Sequence, residues 1–295
     1  MPPSRNAHQG RAMLTMLVAV AMFAMMDAGL KQLSTHYPPF QVASLRGAAS
    51  LPLVLVWALW TGGVAPLLRV RWSLHVLRGV LGVAMMATFV YAVSKLPLST
   101  TYSIFFIAPL LITALSVPVL REKVGPRRWA AIVVGLIGVI VLLRPTGEGM
   151  ISLAALAVLI AAVMYAVSAI TVRILARTDS TQSMMVWLMV MIALGAGALA
   201  WPEWVAIRRE DFWLIAFIGV AGAFGQYAIT EAFRLGEASA IAPLEYTALV
   251  WGVLFDLTFW GVLPDAITWV GAAIIVASGL YLIRREKVHA EAEHP

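Results

Sequence analysis

Long apolar runs alternate with short polar breaks along the whole chain. A helix needs about 20 mainly apolar residues to cross a bilayer, and ten runs meet this length. Proline, glycine or charged residues mark the breaks, which are too short to hold a soluble domain. The pattern therefore predicts an all-α integral membrane protein with ten transmembrane helices. The runs lie at 12–34, 40–61, 73–94, 97–120, 126–144, 150–174, 182–201, 211–234, 238–261 and 265–283.

The second half of the chain repeats the pattern of the first half 140 positions later and without a gap. Five helices per repeat is an odd number, so the second repeat enters the membrane from the opposite side. We therefore expect two inverted five-helix repeats around a central cavity, at 12–145 and 150–284, and a cytoplasmic tail at 285–295. Matching pairs are Gly79 with Gly219, Ser99 with Ser239, Ala108 with Ala248, Trp129 with Trp269 and Arg144 with Arg284.

Lysine and arginine are distributed unevenly between the connections on the two sides of the membrane. Of the 21 in the chain, 14 lie on the side that holds both termini and five on the other, while Arg46 and Arg78 fall inside spans. Basic residues concentrate on the cytoplasmic side of membrane proteins. We therefore expect both termini in the cytoplasm and the protein in the inner membrane. The first run, from Ala12, is too long for a signal-peptide core and is expected to remain as the first span.

Composition narrows the class of protein further. Hydrophobic residues make up 61% of the chain and charged residues 12%, far from the balance of a soluble domain. The absence of cysteine excludes disulfides, thiol nucleophiles and cysteine-based metal sites. The net charge of +6 sits in the connections and is explained by topology rather than by nucleic-acid binding. The sequence has no HExxH motif and no Walker A loop, so we expect no enzyme activity, no cofactor and no metal.

Five segments carry a family resemblance: Phe23–Lys31 (FAMMDAGLK), Gln41–Arg46 (QVASLR), Pro109, Arg121–Lys123 (REK) and Ala238–Pro243 (ASAIAP). They resemble the drug/metabolite transporter superfamily, EamA type, over nearly the whole chain, and most of all its YddG-type amino acid exporters. Similar sequences also include carriers for S-adenosylmethionine, riboflavin and other metabolites. The resemblance implies ten helices in two repeats, a small-molecule substrate and alternating access. Glu122 resembles the family's glutamate after the fourth helix, although Val262 takes the matching place in the second repeat.

Three ionisable residues lie near the predicted outer face, late in the first helix and early in the second. They are Asp27, Lys31 and Arg46. A charge at mid-depth costs at least about 2.5 kcal/mol by insertion scales, so each needs a partner or a wet cavity. One interpretation is an ion-paired cluster that gates the cavity or meets a substrate carboxylate. The alternative is that Lys31 reaches the interface while Asp27 and Arg46 form a structural pair.

A second ionisable group is expected toward the cytoplasmic face. Glu231 lies at the end of the eighth helix, and Glu245 follows Pro243 early in the ninth, at a depth similar to that of Arg78. Glu245 is a candidate ligand for the amino group of a substrate. Arg78 either pairs with Glu245 or binds the substrate carboxylate. Gln226 is expected to hydrogen-bond a substrate or a neighbouring helix.

Small and aromatic residues leave alternatives open. Glu245 begins a stripe on one face of the ninth helix with Ala248, Gly252 and Asp256, which indicates a cavity wall or close helix packing. Gly135, Gly138 and Gly271 are expected to be packing points of the fifth and tenth helices. Aromatic residues at depth either line a pocket for an amphipathic solute or pack between helices. These aromatic candidates are Tyr91, Tyr102, Tyr246 and Trp251.

The pattern as a whole predicts a secondary transporter that exports amino acids, aromatic or broadly amphipathic, or related small metabolites. Its partners are expected to be a small-molecule substrate and the lipid bilayer, without nucleic acid, and the chain is expected to act as a monomer. One alternative is a carrier for a nucleoside-like or vitamin solute. Two others are a membrane-embedded enzyme on lipid-linked substrates, which the buried carboxylates would serve, and a non-transporting scaffold or sensor.

Overall fold

The computed structural model describes residues 5–121, 125–143, 152–235 and 242–293, and the regular structure in these ranges is helical. Glu122, Arg144 and the segment 238–241 lie outside the described residues. The α-helices are α1 (Arg5–Leu33), α2 (Pro39–Gly62), α3 (Ala65–Leu68), α4 (Trp72–Lys95), α5 (Leu98–Phe105), α6 (Ala108–Leu120), α7 (Pro126–Leu143), α8 (Leu153–Leu175), α9 (Thr181–Met191), α10 (Gly197–Ala200), α11 (Phe212–Leu235), α12 (Ala248–Trp260) and α13 (Ala266–Glu293). Ile192–Ala196 forms a π turn, and Trp201–Glu203, Arg209–Asp211 and Ala242–Thr247 form 3-10 turns.

Seven helical segments within the described ranges are long and apolar enough to cross a membrane. They correspond to the first four predicted runs and to the sixth, seventh and eighth. The fifth and tenth runs give shorter apolar helices, at Trp129–Leu142 and Ala266–Tyr281. The ninth run, 238–261, begins outside the described residues and continues as a 3-10 turn followed by α12. The seven segments are Gly10–Leu33, Pro39–Gly62, Trp72–Lys95, Leu98–Leu120, Leu153–Leu175, Thr181–Glu203 and Arg209–Ile229.

The fourth predicted run contains a break between two helices. α5 ends at Phe105, and the chain turns through Phe106 and Ile107 before α6 begins. The Ile107 amide donates to the carbonyl of Ile104 at 3.2 Å, as in a 3-10 turn. Pro109 in the first turn of α6 has no amide hydrogen, so it suits the start of a helix and not its interior. The break therefore follows from the proline rather than from the apolar pattern.

Helix boundaries recur at the spacing of the sequence repeat. Three pairs of helices begin 140 residues apart, and the pairs α4–α11 and α6–α12 also end 140 residues apart. Arg121 follows α6 at φ 58° and Gly261 follows α12 at φ 65°, and a left-handed residue of this kind closes a helix. The three starting pairs are Trp72 and Phe212, Ala108 and Ala248, and Pro126 and Ala266.

The chain divides into two compact units, and each takes segments from both halves of the sequence. Unit 1 comprises Met1–Ala24, Pro97–Ala155 and Phe224–Pro295, whereas unit 2 comprises Met25–Leu96 and Leu156–Ala223. The grouping of helices in space therefore differs from their order along the chain.

In unit 1, α7 and α13 pack as an antiparallel pair through glycines. A Cβ added at Gly138 would lie 3.2 Å from the carbonyl oxygen of Gly271, and one added at Gly271 would lie 3.1 Å from that of Gly138. One turn away, a Cβ at Gly135 would lie 2.9 Å from the hydroxyl of Ser278. The two backbones touch where side chains are missing, which confirms these glycines as packing points.

In unit 2, α2 runs antiparallel to α9 and its π turn. The hydroxyl of Ser44 donates to the carbonyl of Ala193 at 2.7 Å, and the amide of Gln182 donates to the hydroxyl of Thr61 at 3.3 Å near the other end of α2. A π turn shifts backbone carbonyls out of the regular α-helical pattern. Ser44 supplies a donor to one of these carbonyls and so fixes α2 against the turn.

Candidate functional site

The predicted site residues are divided between the two units, so each unit presents its own set. The charged groups of unit 2 lie on its α1, α2 and α4 segments, and those of unit 1 lie on α11 and the turn before α12. Unit 2 contains Asp27, Lys31, Arg46, Arg78 and Tyr91, and unit 1 contains Tyr102, Gln226, Glu231, Glu245, Tyr246 and Trp251.

Asp27 and Arg46 come together in unit 2. Both are buried, at 9% and 8% exposure, and the Asp27 carboxylate acts electrostatically on the Arg46 guanidinium. The Nε of Arg46 also donates to the sulfur of Met26 at 3.3 Å. Two opposite charges at this depth stabilise each other because neither is well solvated. The structure thus brings together Asp27 and Arg46 of the predicted outer cluster.

Lys31 has a partner that the sequence did not indicate. Its Nζ donates to the carbonyl of Leu96 at 2.6 Å, and Leu96 is the residue that caps the C-terminal end of α4. A cation at this end of a helix satisfies a carbonyl left over from the helix ladder and opposes the negative end of the helix dipole. Lys31 therefore joins α1 to α4 inside unit 2.

One nitrogen of the Arg78 guanidinium group forms a hydrogen bond, whereas another has no described acceptor. Its guanidinium donates to the carbonyl of Met184 on α9 at 2.5 Å, while its Nε is buried without a hydrogen-bond partner among the described residues. Tyr91, on the same helix, is half-buried. The predicted pairing of Arg78 with Glu245 would join residues of different units and stays a prediction.

In unit 1, the two helix breaks meet at a pair of equivalent aromatic residues. Phe106 caps the C-terminal end of α5, and Tyr246 lies in the 3-10 turn before α12. Their ring centroids are 4.9 Å apart with the planes at 85°, an edge-to-face arrangement that aromatic pairs favour. Phe106 and Tyr246 are 140 positions apart, so the contact joins the same place in both repeats. We call this contact and Glu245 beside it the junction.

Two polar groups of the junction lack a partner among the side chains that the structure describes. Glu245 is partly buried, and no hydrogen bond or ion pair joins it to another described side chain. The hydroxyl of Tyr246 is buried against Gly279 of α13 and has no hydrogen-bond partner among the residues that the structure describes. Buried polar groups are nearly always paired. Two neighbouring exceptions mark the junction as the best candidate binding site of unit 1.

Asp256 is a structural residue that sequence reasoning placed only in a stripe. Its carboxylate accepts the amides of Leu98 and Ser99 at 2.9 and 2.8 Å and the hydroxyl of Ser99 at 2.6 Å. It is fully buried and caps the N-terminal end of α5 from a different helix, where a negative charge is favoured. The sequence held two signals for this cap. Pro97 precedes the start of a helix, and Asp256 is an isolated acid within a predicted span.

The stripe on α12 packs closely against α5. A Cβ at Gly252 would lie 2.8 Å from Cδ2 of Tyr102 and 3.1 Å from the amide nitrogen of Ser99. With the cap from Asp256, this contact runs from Leu98 to Tyr102 on α5. Of the two interpretations of the stripe, close helix packing therefore describes Gly252 and Asp256.

One of the remaining candidates of unit 1 lies beside an apolar cluster. Trp251 packs against it, and its ring centroid is 5.7 Å from that of Phe255, so packing accounts for this tryptophan. Gln226 and Glu231 are partly buried on α11. The cluster consists of Ala12, Met16, Ala19, Val20, Ala228 and Ala232.

The sequence analysis did not predict a hydrogen-bonded contact in unit 2, which we call a tie. It joins the α1–α2 connection to the segment before α11. The hydroxyl of Tyr37 donates to the carboxylate of Asp211 at 2.6 Å and accepts the amide of Arg208 at 2.9 Å, and Nδ1 of His36 lies 3.2 Å from the same carboxylate. Burial and the hydrogen bond to Asp211 raise the pKa of Tyr37 above its usual value.

A second tie lies near the opposite end of α2. The carboxylate of Asp179 accepts the amide of Arg71 at 2.9 Å and the hydroxyl of Thr178 at 2.6 Å, and it lies 2.9 Å from Nε2 of His75. Burial alone would raise the pKa of Asp179, but these hydrogen bonds outweigh it and lower the pKa below its usual value. Histidines and acids at separate span ends were the only signal in the sequence for both ties.

A groove of about 560 Å³ lies on unit 2 along the π turn of α9. Its walls are mostly apolar, and it contains none of the predicted site residues. The lining residues are Ser44, Ala193, Leu194, Gly197, Ala198, Trp201, Pro202 and Trp204.

Comparisons with known proteins agree on a family. The EamA-like transporter family matches residues 10–144 and again residues 152–285. The chain is similar to the riboflavin transporter of Vibrio cholerae, at 30% identity over 97% of each chain. It is also similar to the S-adenosylmethionine uptake transporter of Rickettsia prowazekii, at 28% over 94% of each chain. The pseudopaline exporter CntI of Pseudomonas aeruginosa matches at 25% over 93% of this chain and 96% of the exporter.

A solved crystal structure supports the fold. It matches 94% of this chain and 99% of its own with a TM-score of 0.64. At 20% identity the match shows a shared fold and no more. The family matches, by contrast, cover most of the chain, and the relatives align over nearly their full length. The chain therefore belongs to the EamA-like transporter family of the drug/metabolite transporter superfamily and is a multi-pass membrane transporter.

Proposed function

We propose that this protein is a secondary transporter of the inner membrane that exports amino acids or related small metabolites by alternating access. The observation that carries the proposal is the junction, where two broken helices meet at Phe106 and Tyr246 beside the acid Glu245. Secondary transporters build substrate sites from broken helices near mid-membrane, where helix ends and exposed backbone supply binding groups.

The pair α7–α13 supports ten helices in inverted repeats at 12–145 and 150–284. Gly135 faces Ser278, and Gly138 faces Ile275. At a spacing of 140, Ser278 is the equivalent of Gly138 and Ile275 is the equivalent of Gly135. The position of Gly135 in one repeat therefore contacts the position of Gly138 in the other repeat. This contact occurs twice, with the two repeats exchanged. An antiparallel, reciprocal contact of this kind is what a two-fold axis produces.

The charged groups favour an amino acid as the solute. Glu245 offers a carboxylate to an ammonium group, and the unused Nε of Arg78 offers a donor to a carboxylate. Asp27, Lys31 and Arg46 form the gate toward the outer face. The remaining candidates for the pathway are Tyr91 in unit 2 and, in unit 1, Tyr102, Gln226, Glu231 and Tyr246, whereas packing accounts for Trp251.

A second candidate is a carrier for a vitamin-like or nucleoside-like solute. Two of the similar proteins are named as transporters of riboflavin and of S-adenosylmethionine, and none of the three compared above is named as an amino acid exporter. The paired rings of Phe106 and Tyr246 would suit a planar ring system.

A flux screen separates these candidates. Purified protein is reconstituted in proteoliposomes and offered labelled tryptophan, lysine, glutamate, riboflavin and S-adenosylmethionine. We expect saturable flux of at least one solute above protein-free vesicles, with competition by the unlabelled solute. Flux of the amino acids alone supports the first candidate, and flux of riboflavin or S-adenosylmethionine alone supports the second. A complete lack of saturable flux would contradict both.

The orientation has its own test. A tag added after Pro295 should be labelled only after the inner membrane is opened, because both termini are proposed to face the cytoplasm. A tag in the connection that contains Arg208 should be labelled in intact spheroplasts. Labelling of the C-terminal tag in intact spheroplasts would contradict the orientation.

A further inference from the structure

We propose that Asp256 is a positioning residue that latches the outer ends of α5 and α12 together, so that the protein at rest opens toward the cytoplasm. The role in transport rests on the proposed function, whereas the latch itself does not. The first observation is the contact. The carboxylate of Asp256 accepts the amides of Leu98 and Ser99 at 2.9 and 2.8 Å and the hydroxyl of Ser99 at 2.6 Å. All three residues are fully buried, and hydrogen bonds to a carboxylate are stronger than those between neutral groups.

The second observation is the place of this contact. Leu98 starts the fourth predicted run and Asp256 lies near the end of the ninth, so both lie toward the proposed outer face. At about 1.5 Å per helical residue, the latch is about 12–15 Å along the helices from the junction of Phe106 and Tyr246. It belongs to unit 1, whereas the gate residues proposed above belong to unit 2. Asp256 therefore acts on the end of α5 and not directly on a bound solute.

The third observation is that the two repeats differ at the latch. At a spacing of 140, Ser116 takes the place of Asp256, and Ile112 takes the place of Gly252. The described hydrogen bond of the Ser116 hydroxyl stays within α6. A Cβ at Gly252 would lie 3.1 Å from the amide nitrogen of Ser99, so an isoleucine there would prevent this close approach. The first repeat therefore brings neither the carboxylate nor the glycine to the matching place at the cytoplasmic end.

This difference between the repeats determines which state is favoured. Inverted repeats change sides by exchanging the conformations of the two repeats. The outer contact of α5 with α12 and the matching cytoplasmic contact of α6 with the start of the ninth run therefore close in turn. A stronger contact at one end shifts the population toward the state in which that end is closed. The carboxylate lies at the outer end, so the favoured state is closed outside and open to a solute arriving from the cytoplasm, as an exporter requires.

Thiol labelling tests the latch without a solute. The chain has no cysteine, so a single introduced thiol reports its own accessibility. Ser103→Cys on α5 reports the outer end and Ser116→Cys on α6 reports the cytoplasmic end, since both serines are buried. Each reporter is made in wild type, in Asp256→Asn and in the control Glu203→Gln, which changes an exposed carboxylate. A membrane-impermeant maleimide is applied to spheroplasts for the outer side and to inverted vesicles for the cytoplasmic side.

We expect the two reporters to respond to Asp256→Asn in opposite directions. The substitution keeps the size of the side chain but replaces an accepting oxygen by an NH₂ group, which cannot accept an amide of α5. Labelling of Ser103→Cys in spheroplasts should rise several-fold, and labelling of Ser116→Cys in inverted vesicles should fall. Glu203→Gln should leave both unchanged. Opposite changes identify a shift between two states, because a mere loosening of unit 1 would raise the labelling of both thiols.

Any other pattern overturns the latch, including unchanged labelling of both reporters and a rise in both. Should Asp256→Asn fail to fold, Ser99→Ala is measured in its place, because it removes only the hydroxyl that donates to the carboxylate. The same opposite changes, smaller in size, are expected in Ser99→Ala. Labelling of Ser99→Ala equal to that of wild type at both reporters would overturn the proposal as well.

The role in transport is tested with a solute identified by the flux screen. Flux is measured in right-side-out and inverted membrane vesicles, and the readout is the solute concentration that gives half-maximal flux. In Asp256→Asn this concentration should fall several-fold for solute offered from the outer side and rise slightly for solute offered from the cytoplasmic side, because the outward-open state becomes more populated. Values equal to those of wild type on both sides would overturn the role in transport. If no solute moves in wild type, the transport proposal fails while the labelling result still stands.

Discussion

Unit 2 surrounds its charges with partners, whereas unit 1 leaves one acid without any that the structure describes. In unit 2, Asp27 lies beside Arg46, Lys31 caps a helix, and Asp179 holds a connection. In unit 1, backbone amides hold Asp256, but Glu245 has no such support. A buried charge without a partner costs stability. The contrast therefore separates Asp27, Lys31 and Asp179, which hold elements of unit 2 together, from Glu245, for which we propose a binding role.

Breaking the pair of unit 2 should have the largest effect on stability. Arg46→Ala removes the cation beside the buried Asp27 carboxylate, so we expect a loss of about 3–5 kcal/mol in the free energy of unfolding. The double variant Asp27→Asn with Arg46→Gln should lose less than Arg46→Ala alone. Unfolding in detergent measures both. Losses that simply add would show that the two residues are not partners.

Removing the cap of α5 should come second. Asp256→Ala leaves the amides of Leu98 and Ser99 without their acceptor, for an expected loss of about 2–3 kcal/mol. Ser116→Ala is the matched control, because Ser116 takes the equivalent place in the first repeat and its described hydrogen bond is to the carbonyl of Thr113. The control should lose about 1 kcal/mol or less. Equal losses would show that the carboxylate has no special part in holding α5.

The two ties of unit 2 should lose their stabilisation at opposite ends of the pH scale. The lowered pKa of Asp179 means that its contribution is present above the unfolded value of about 4 and is lost as pH falls further. The raised pKa of Tyr37 means that its contribution is present below about 10 and is lost as pH rises. Asp179→Asn should remove the acid loss and Tyr37→Phe the alkaline loss, each of about 1 kcal/mol or less. The unfolding temperature measured against pH shows both losses. If the unfolding temperature of Asp179→Asn still falls at acid pH as it does in wild type, the assignment of the acid loss to Asp179 is wrong.

The sequence predicted most of the helices because a span needs only apolar length. Seven of the ten predicted runs appear as long apolar helical segments among the described residues. Residue spacing also predicted the packing glycines of α7 and α13, because a missing side chain between two long helices has few other uses.

The contacts that define the candidate site could not be predicted in the same way. The cap of α5 joins Ser99 to Asp256, 157 positions away, and a local pattern holds no trace of such a partner. The break at Phe106 lies inside a continuous apolar run, with Pro109 as its only local signal. Glu245 was predictable as an unusual residue, since acids are rare in spans. Its lack of a described partner was visible only once the neighbouring helices were placed.

Glu245→Gln should have the smallest effect on stability and a clear effect on transport. The substitution keeps the size of the side chain and removes no described ion pair, so the free energy of unfolding should change by about 0.5 kcal/mol or less. Transport of amino acids should fall because the ammonium group loses its carboxylate, and the preference should move from zwitterionic toward anionic solutes. The measurement is flux of lysine, tryptophan and glutamate in proteoliposomes, with Glu203→Gln as the control. If the substitution lowers flux of all three solutes by the same factor, Glu245 acts as a gate or a strut and does not bind the solute. If it lowers stability by as much as Asp256→Ala does, Glu245 has a structural partner, and the contrast between the two units disappears.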